Sequence, residues 1–282
     1  MGLLLGSKVG EGACSEVFEW EDSSKIIKIA KENTDYKAMA REYNNNLLAW
    51  ENGLSVARPY ELTEYDGRTG IVFERIYGQT IMERFLRRAI IKNIPAADID
   101  EEDIRTTAAL LYQIHNSNIE VPSSQMGNME YSIRVADYLS IAEKEEIIST
   151  LRNLPKKQLP CHGDPNPNNI LVKEDGNAVF IDWMSASMGN PEADLAEYII
   201  IMRYAVLPSQ YPQVIVQLFD SIRETIINIF MDEYNKLSGI TYDEVAPWII
   251  PVAARKLSVD GIGEEEKKLL VQEIRRNLNI LK

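Results

Sequence analysis

The hydrophobic pattern of this 282-residue chain shifts near Gly78 from mostly alternating to mostly helical spacing, and that switch restricts the fold more than any other feature. Before it, short alternating segments run from Leu3 to Val9, Glu16 to Trp20 and Lys25 to Ala30, separated by "GEGACS" and "EDSS". Alternation bounded by turn residues predicts a strand meander. Apolar side chains then recur at Tyr36, Met39, Ala40, Tyr43, Leu47 and Trp50. That spacing predicts a helix from Thr34 to Asn52, with Asn33 or Thr34 as N-cap and Gly53 as stop. "ARPYELTEY" and "TGIVFERI", on either side of a "DGR" turn, add two more strands.

Beyond Gly78 the spacing is helical over Thr80 to Ile90, Glu101 to Asn116, Ser132 to Leu154 and Ala193 to Val206, with three more helices out to Leu281. One hairpin interrupts them, Asn169 to Val172 and Ala178 to Ile181 around "KEDGN". The polar stretch "NIPAADIDEED" reads as a loop whose acids suit the start of the next helix. The expectation is an α+β chain in two lobes. Residues 1–77 would form a small antiparallel sheet with one helix, and residues 78–282 a larger, mainly helical lobe.

Composition narrows the partners. Hydrophobic residues make up 45% of the chain, ample for a packed core at this length. No apolar run approaches the roughly 20 residues that span a bilayer. The opening "MGLLLGSKVGEG" lacks the apolar length and cleavage pattern of a signal peptide, and Gly6 stands where a myristoylation signal carries Ser or Thr. A cytoplasmic chain is therefore expected. Cys14 and Cys161 lack CxxC spacing, which argues against a disulfide framework or a structural zinc site. A formal net charge of -13 repels nucleic-acid phosphates and anionic membranes, so neither is an expected partner. The same acidity suits either plain solubility or a cationic ligand.

Three motifs bear on chemistry. In "GEGACSEVF", Gly10 and Gly12 would let backbone N–H groups approach a phosphate, with Ser15 as a further donor; a tight turn between strands explains the glycines equally well. A strand rather than a helix follows the loop, so a dinucleotide-binding fingerprint is excluded. Strand alternation in "KIIKIAK" puts Ile27 and Ile29 on one face and Ile26, Lys28 and Ala30 on the other. A lysine there needs an anion, either a ligand phosphate or Glu42 beside Met39 and Tyr43, unless its ammonium snorkels to water. Finally, His162, Gly163, Asp164 and Asn169 in "CHGDPNPNNIL" precede Asp182 in "VFIDW". Two carboxylates and an amide oxygen beside a hairpin can serve a magnesium-held nucleotide and a substrate hydroxyl: Asn169 and Asp182 as hard ligands, Asp164 free to orient and accept from an alcohol. Singly, each residue also has a turn or cap explanation.

Together these motifs resemble the aminoglycoside phosphotransferase and choline kinase family, whose HGDxxxxN pattern is matched by "HGDPNPNN" and whose IDW pattern by "FIDW". Its GxPxxDLA pattern is matched by "GNPEADLA" from Gly189 to Ala196. The resemblance covers about Gly6 to Val206 and implies a bilobal protein-kinase-like fold. It implies Asp164 as catalytic base, Asn169 and Asp182 as magnesium ligands, Lys28 as partner of the ATP phosphates and Glu42 as its ion-pair mate. Asp194 would brace the catalytic loop with His162, Glu74 and Ile76 in "FERIYG" would offer hinge backbone to adenine, and His115 in "LLYQIHNS" would be structural.

Departures are Pro165, Asn166 and Asn168 in the loop, Ser15 where protein kinases carry a third glycine, and Met184 where an acid commonly follows DW. The implied reaction is Mg²⁺-dependent transfer from ATP or GTP to a hydroxyl of a small, cationic acceptor, with an antibiotic of aminoglycoside type as first guess. A choline, ethanolamine, homoserine or sugar kinase, a nucleotide-binding module without turnover and an acidic helical scaffold are the alternatives. The short interval from Asp182 to Asp194 leaves no room for a long activation loop, which disfavours a protein kinase. Oligomeric state is not encoded in any of these features.

Overall fold

A computed structural model describes residues 5–21, 23–92 and 100–280. The chain begins with β1 (Lys8–Glu11), β2 (Ser15–Trp20), β3 (Lys25–Ala30), α1 (Tyr36–Glu51), β4 (Pro59–Tyr65) and β5 (Arg68–Glu74). These strands form one antiparallel sheet in the order β1-β2-β3-β5-β4. Register places Lys28 opposite Val17 on one side and Ile71 on the other. The alternation expected of β3 holds. Ile27 and Ile29 pack with Trp20 and Val72 on one face, while Ala30 and Ile26 pack with Met39, Ile71 and Phe73 on the face covered by α1. Lys28 therefore projects into the layer between sheet and helix.

β1 starts at Lys8, later than the segment from Leu3 that alternation suggested; Leu3 and Leu4 lie outside the described residues. The N-cap of α1 is Asp35, whose Oδ1 accepts from Ala38 N at 2.8 Å, not Asn33 or Thr34. Asn33 instead donates to the Ala13 carbonyl at 3.3 Å. A tertiary bond has taken the residue that local capping preference favoured.

The second part comprises β6 (Gly78–Thr80), α2 (Ile81–Lys92), α3 (Glu101–His115), α4 (Gln125–Val135), α5 (Ile141–Asn153), β7 (Leu159–Cys161), β8 (Ile170–Lys173), β9 (Ala178–Phe180) and β10 (Ser187–Gly189). It continues through α6 (Pro191–Tyr204), α7 (Gln213–Ser238), α8 (Tyr242–Val245), α9 (Ile249–Lys256) and α10 (Glu264–Ile280). The expected loop "NIPAADIDEED" falls mostly on residues 93–99, outside the described ones; Asp100 caps α3 by accepting from Glu102 N. The helix expected from Ser132 to Leu154 is two helices. Ser140 and Glu143 form a reciprocal capping box that starts α5 anew, a local signal the apolar period overrode in the sequence reading. Among the described residues, four α-helices rather than three follow α6.

The hairpin β8-β9 forms as expected, but β6 joins its outer edge, with Gly78 opposite Lys173. β7 and β10, three-residue strands too short to show a period, pair with Cys161 opposite Ser187. These two small sheets bring the segments after Cys161, before Ile170, after Phe180 and before Pro191 to one edge of the helical core. No helix among the described residues is long and apolar enough to cross a membrane.

Candidate active site

The loop from His162 to Asn169 lies between β7 and β8, and the short turn from Trp183 to Ser185 follows β9. Gly163 has φ +81°, and a Cβ there would meet the Ser185 carbonyl oxygen at 2.4 Å, so the two segments approach closely only because this residue has no side chain. Asp194, at the start of α6, accepts from His162 N at 2.7 Å and from Gly163 N at 3.0 Å. Its Oδ2 also lies 3.2 Å from His115 Nε2, whose Nδ1 is 2.6 Å from Tyr234 Oη. Both histidines are buried. His162 packs against Phe180 and Trp183, and burial, outweighing the pull of Asp194 and Asp182, lowers its pKa. It is a neutral brace.

Above this floor, Asp164 Oδ2 accepts from Asn169 Nδ2 at 2.8 Å, and the Asp164 carbonyl accepts from the same nitrogen at 3.1 Å. The amide nitrogen being committed there, the amide oxygen of Asn169 is the atom left for a cation. Burial pushes the Asp164 carboxyl up to about 6; Lys256 and Arg255 pull it back, while Glu197 and Asp182 add to the rise. A carboxylate so poised is still ionised at neutral pH yet basic enough to take a proton.

Asp182 sits in the left-handed region, φ 65° and ψ 68°, a strained backbone for a residue with a side chain. Its Oδ1 is 3.2 Å from Lys28 Nζ, which is 2.6 Å from Glu42 Oε1. Burial would lower the Lys28 pKa, but the carboxylates of Asp182 and Glu42 outweigh it and hold the ammonium charged. The other Glu42 oxygen is buried without a hydrogen-bond partner. Lys28 and Glu42 are buried, whereas the Asp182 side chain is 40% exposed. One cation thus bridges a sealed carboxylate and an open one. Asp182 and Asn169 offer the hard, oxygen-only donor set that suits magnesium, so the residues present fit that ion.

α1 holds this turn in place from the other lobe. Asn45, buried, donates to the Trp183 carbonyl at 3.0 Å, and Arg41 Nε donates to the Met184 carbonyl at 3.2 Å. Met184 and Ile76 are partly buried against Ala30, Met39 and Phe73, giving an apolar layer beside the Asp182 turn. Of Glu74 and Ile76, the residues expected at a hinge, Glu74 donates its N–H to the Arg58 carbonyl at 2.8 Å, and the intervening Arg75 N–H goes to Ser24 O at 3.1 Å. Glu74 N–H is spent within the sheet. In the glycine loop Gly10 lies in β1, Gly12 N donates to the Ser15 carbonyl at 2.9 Å, and Ser15 is buried at the start of β2. A Cβ at Gly12 would meet nothing within 4 Å, so the turn is open to a ligand on that side.

The sequence reading missed Glu197, Arg255 and Lys256. Glu197 is buried in α6, where it meets Lys256 Nζ at 2.9 Å and Arg255 Nη2 at 2.6 Å. Their signal was present: Glu197 is a charge inside the apolar run "LAEYIII", and Lys256 closes the apolar face of "IIPVAARK". Charges in such positions need partners.

The arrangement defines a class: a two-lobed chain of kinase-like fold with a lysine, two carboxylates and an amide converging between the lobes. The sequence profile described as APH, phosphotransferase enzyme family, matches residues 7–224, and the chain belongs to that family. Among solved structures, the choline kinase LicA from Streptococcus pneumoniae superposes with a TM-score of 0.67 at 17% identity, covering 98% of this chain and 93% of that one. A thermostable mutant of the aminoglycoside phosphotransferase APH(4)-Ia gives 0.61 at 12% identity, covering 99% and 94%. The aminoglycoside phosphotransferase APH(3'')-Id from Streptomyces rimosus, in complex with ADP and streptomycin, gives 0.57 at 15% identity, covering 85% and 90%. At these identities the likeness is one of fold. No curated protein matches the chain in sequence.

Proposed function

We propose that the protein transfers the γ-phosphoryl group of ATP or GTP, with Mg²⁺, to a hydroxyl of a small molecule. The carrying observation is the Lys28 bridge between Glu42 and Asp182, beside the Asp164–Asn169 pair, with Ile181 N–H donating to the Asn169 carbonyl at 2.9 Å. In this reading Lys28 meets the nucleotide phosphates while Glu42 keeps its ammonium aimed, Asn169 and Asp182 hold magnesium, and Asp164 orients the acceptor hydroxyl and takes its proton. Magnesium, when bound, neutralises phosphate charge as it redistributes. Asp194 and His162 keep the loop backbone in register beneath Asp164. Gly10, Gly12 and Ser15 border the phosphates, and at the hinge it is the Ile76 N–H, not that of Glu74, that has no hydrogen-bond partner among the described residues.

A cationic acceptor of aminoglycoside type is the first class to test, supported by the net charge of -13 and by the fold shared with enzymes of that name. The second reading is a metabolite kinase for choline, ethanolamine, homoserine or a sugar, and one observation favours its uncharged member, the sugar. Of the late-helix acids able to greet ammonium groups, Asp220 pairs with Arg223, Glu224 with Arg203 and Glu233 with Arg105, so their charge is already spent. Asp232 is exposed, and Asp260 contacts Asn33 beside the glycine loop.

The test is release of ADP from Mg-ATP, or of GDP from Mg-GTP, with aminoglycosides, other hydroxylated antibiotics, choline, ethanolamine, homoserine and sugars as acceptors. Acceptor-stimulated release should fall by about 10²-fold or more in Asp164→Asn, as general-base losses do. Undiminished release in that variant would remove Asp164 from the mechanism. Nucleotide binding without transfer to any acceptor would support a binding module instead.

A further inference from the structure

Arg255 and Lys256 end α9 directly beneath the catalytic loop, and both are tied to one carboxylate. Lys256, 8% exposed, donates to Glu197 Oε1 at 2.9 Å. Arg255 Nη2 lies 2.6 Å from Glu197 Oε2 and 3.4 Å from the carbonyl oxygen of Gly163, the residue before Asp164. The contact with Oε2 is an ion pair rather than an aligned hydrogen bond, since that oxygen has no donor in line with it. Two cations at a helix C-terminus can serve the helix dipole alone. That accounts poorly for burying both beside a single carboxylate, because a buried charge is costly unless matched.

The guanidinium is also under-used. It carries five N–H donors in a planar fork. Among the described residues only its Nη2 has partners, while Nε and Nη1 have none. These nitrogens are not sealed orphans either: the Arg255 side chain is 19% exposed, and neither atom is among the buried polar atoms without a partner. An anchored guanidinium therefore presents an open edge next to Asp164. Planar forks of this kind match pairs of phosphate oxygens better than an ammonium does.

The geometry points to Arg255 as a third cation of the transfer site, beside Lys28 and magnesium, that contacts the oxygens of the phosphoryl group in transit. This rests on the phosphotransferase reading above. In the step concerned, the acceptor oxygen forms a bond to the γ-phosphorus as the bond from that phosphorus to the bridging oxygen breaks. The electron pair leaves on ADP, and the acceptor proton passes to Asp164. Arg255 neither gives nor takes a proton; its fork faces the charge spread over the non-bridging oxygens. Glu197 and Lys256 are positioning residues. Glu197 fixes the guanidinium, and Lys256 prevents that carboxylate from being satisfied by Arg255 alone.

The experiment compares binding of Mg-ADP with binding of Mg-ADP plus aluminium fluoride, a planar mimic of the phosphoryl group, by calorimetry. It uses wild type, Arg255→Ala and Arg255→Lys, with ADP release by each variant in parallel. Arg255→Ala should bind Mg-ADP as wild type does, lose about tenfold or more of the extra affinity conferred by aluminium fluoride, and lose about 10²-fold in kcat. Arg255→Lys, keeping the charge without the fork, should fall between. Guanidinium ion added to Arg255→Ala should restore part of kcat, which a merely structural residue would not allow.

Equal losses for Mg-ADP with and without aluminium fluoride would overturn the assignment. So would a rise in acceptor KM with aluminium fluoride binding intact, which would place the fork on the acceptor instead. If Arg255→Ala does not fold, Arg255→Lys with wild-type affinity for the mimic and wild-type kcat overturns it equally. Failure of the wild type to bind either Mg-ADP or Mg-GDP would sink the phosphotransferase reading itself, whereas binding of Mg-GDP alone would move the same comparison to that nucleotide.

Discussion

Asp164 shows how one carboxylate can be costly to the fold and useful to the chemistry. Its pKa is raised to about 6, first by burial, against an ordinary value of 3.8. A carboxyl raised in this way binds its proton more tightly folded than unfolded. Its stabilising contribution is therefore complete below about pH 4 and is lost as pH rises through about 6. At neutral pH the ionised group burdens the nucleotide-free protein by about 1–3 kcal/mol. Asp164→Asn, which keeps an oxygen for Asn169 Nδ2, should thus raise Tm at pH 7.5 while lowering turnover. The gain should vanish near pH 4. Thermal denaturation across pH 4 to 8 checks this, and a Tm difference that does not vary with pH would contradict the assigned environment.

At the scale of elements, the site depends on two short connections that hold each other. The loop after β7 and the turn after β9 meet at Gly163 and Ser185, where no Cβ fits. Gly163→Ala combines the left-handed backbone cost with a backbone clash, and should lower stability by about 2 kcal/mol or more together with kcat. Gly176, between β8 and β9, supplies the control. Its φ is +84°, but a Cβ would meet nothing within 4 Å, so Gly176→Ala should cost about 1 kcal/mol and leave kcat unchanged. Comparing both variants by Tm and ADP release separates strain from contact. A Gly163→Ala enzyme with normal kcat would show that the two connections move apart without consequence.

For the whole molecule, charge and closure matter together. Asn33 links the glycine-loop carbonyl of Ala13 to Asp260 Oδ2, at 3.3 and 3.4 Å, so the first sheet and the segment after α9 meet beside the glycine loop. With a net charge of -13 on the chain as a whole, a cationic acceptor should be drawn in electrostatically. Its KM should rise several-fold as salt is raised from about 0.05 to about 0.5 M, whereas a neutral sugar's KM should hardly change. A salt-independent KM for a cationic acceptor would mean that local contacts, not the overall field, recognise it.

The sequence by itself determined the change from alternating to helical period at Gly78, the inward face of Lys28, and the polar residues Asp164, Asn169 and Asp182 flanking a hairpin. Each of these follows from local spacing, because strand and helix periods and turn chemistry are short-range properties of the chain. Tertiary structure alone decided the rest. Asp35 rather than Asn33 caps α1 because Asn33 is drawn to Ala13. β7 and β10, lying far apart in sequence, pair because packing brings their ends together. Glu197 on α6 and Arg255 and Lys256 on α9 meet beneath Asp164 because a buried charge must find its opposite wherever the fold supplies it, and no local pattern records that distance.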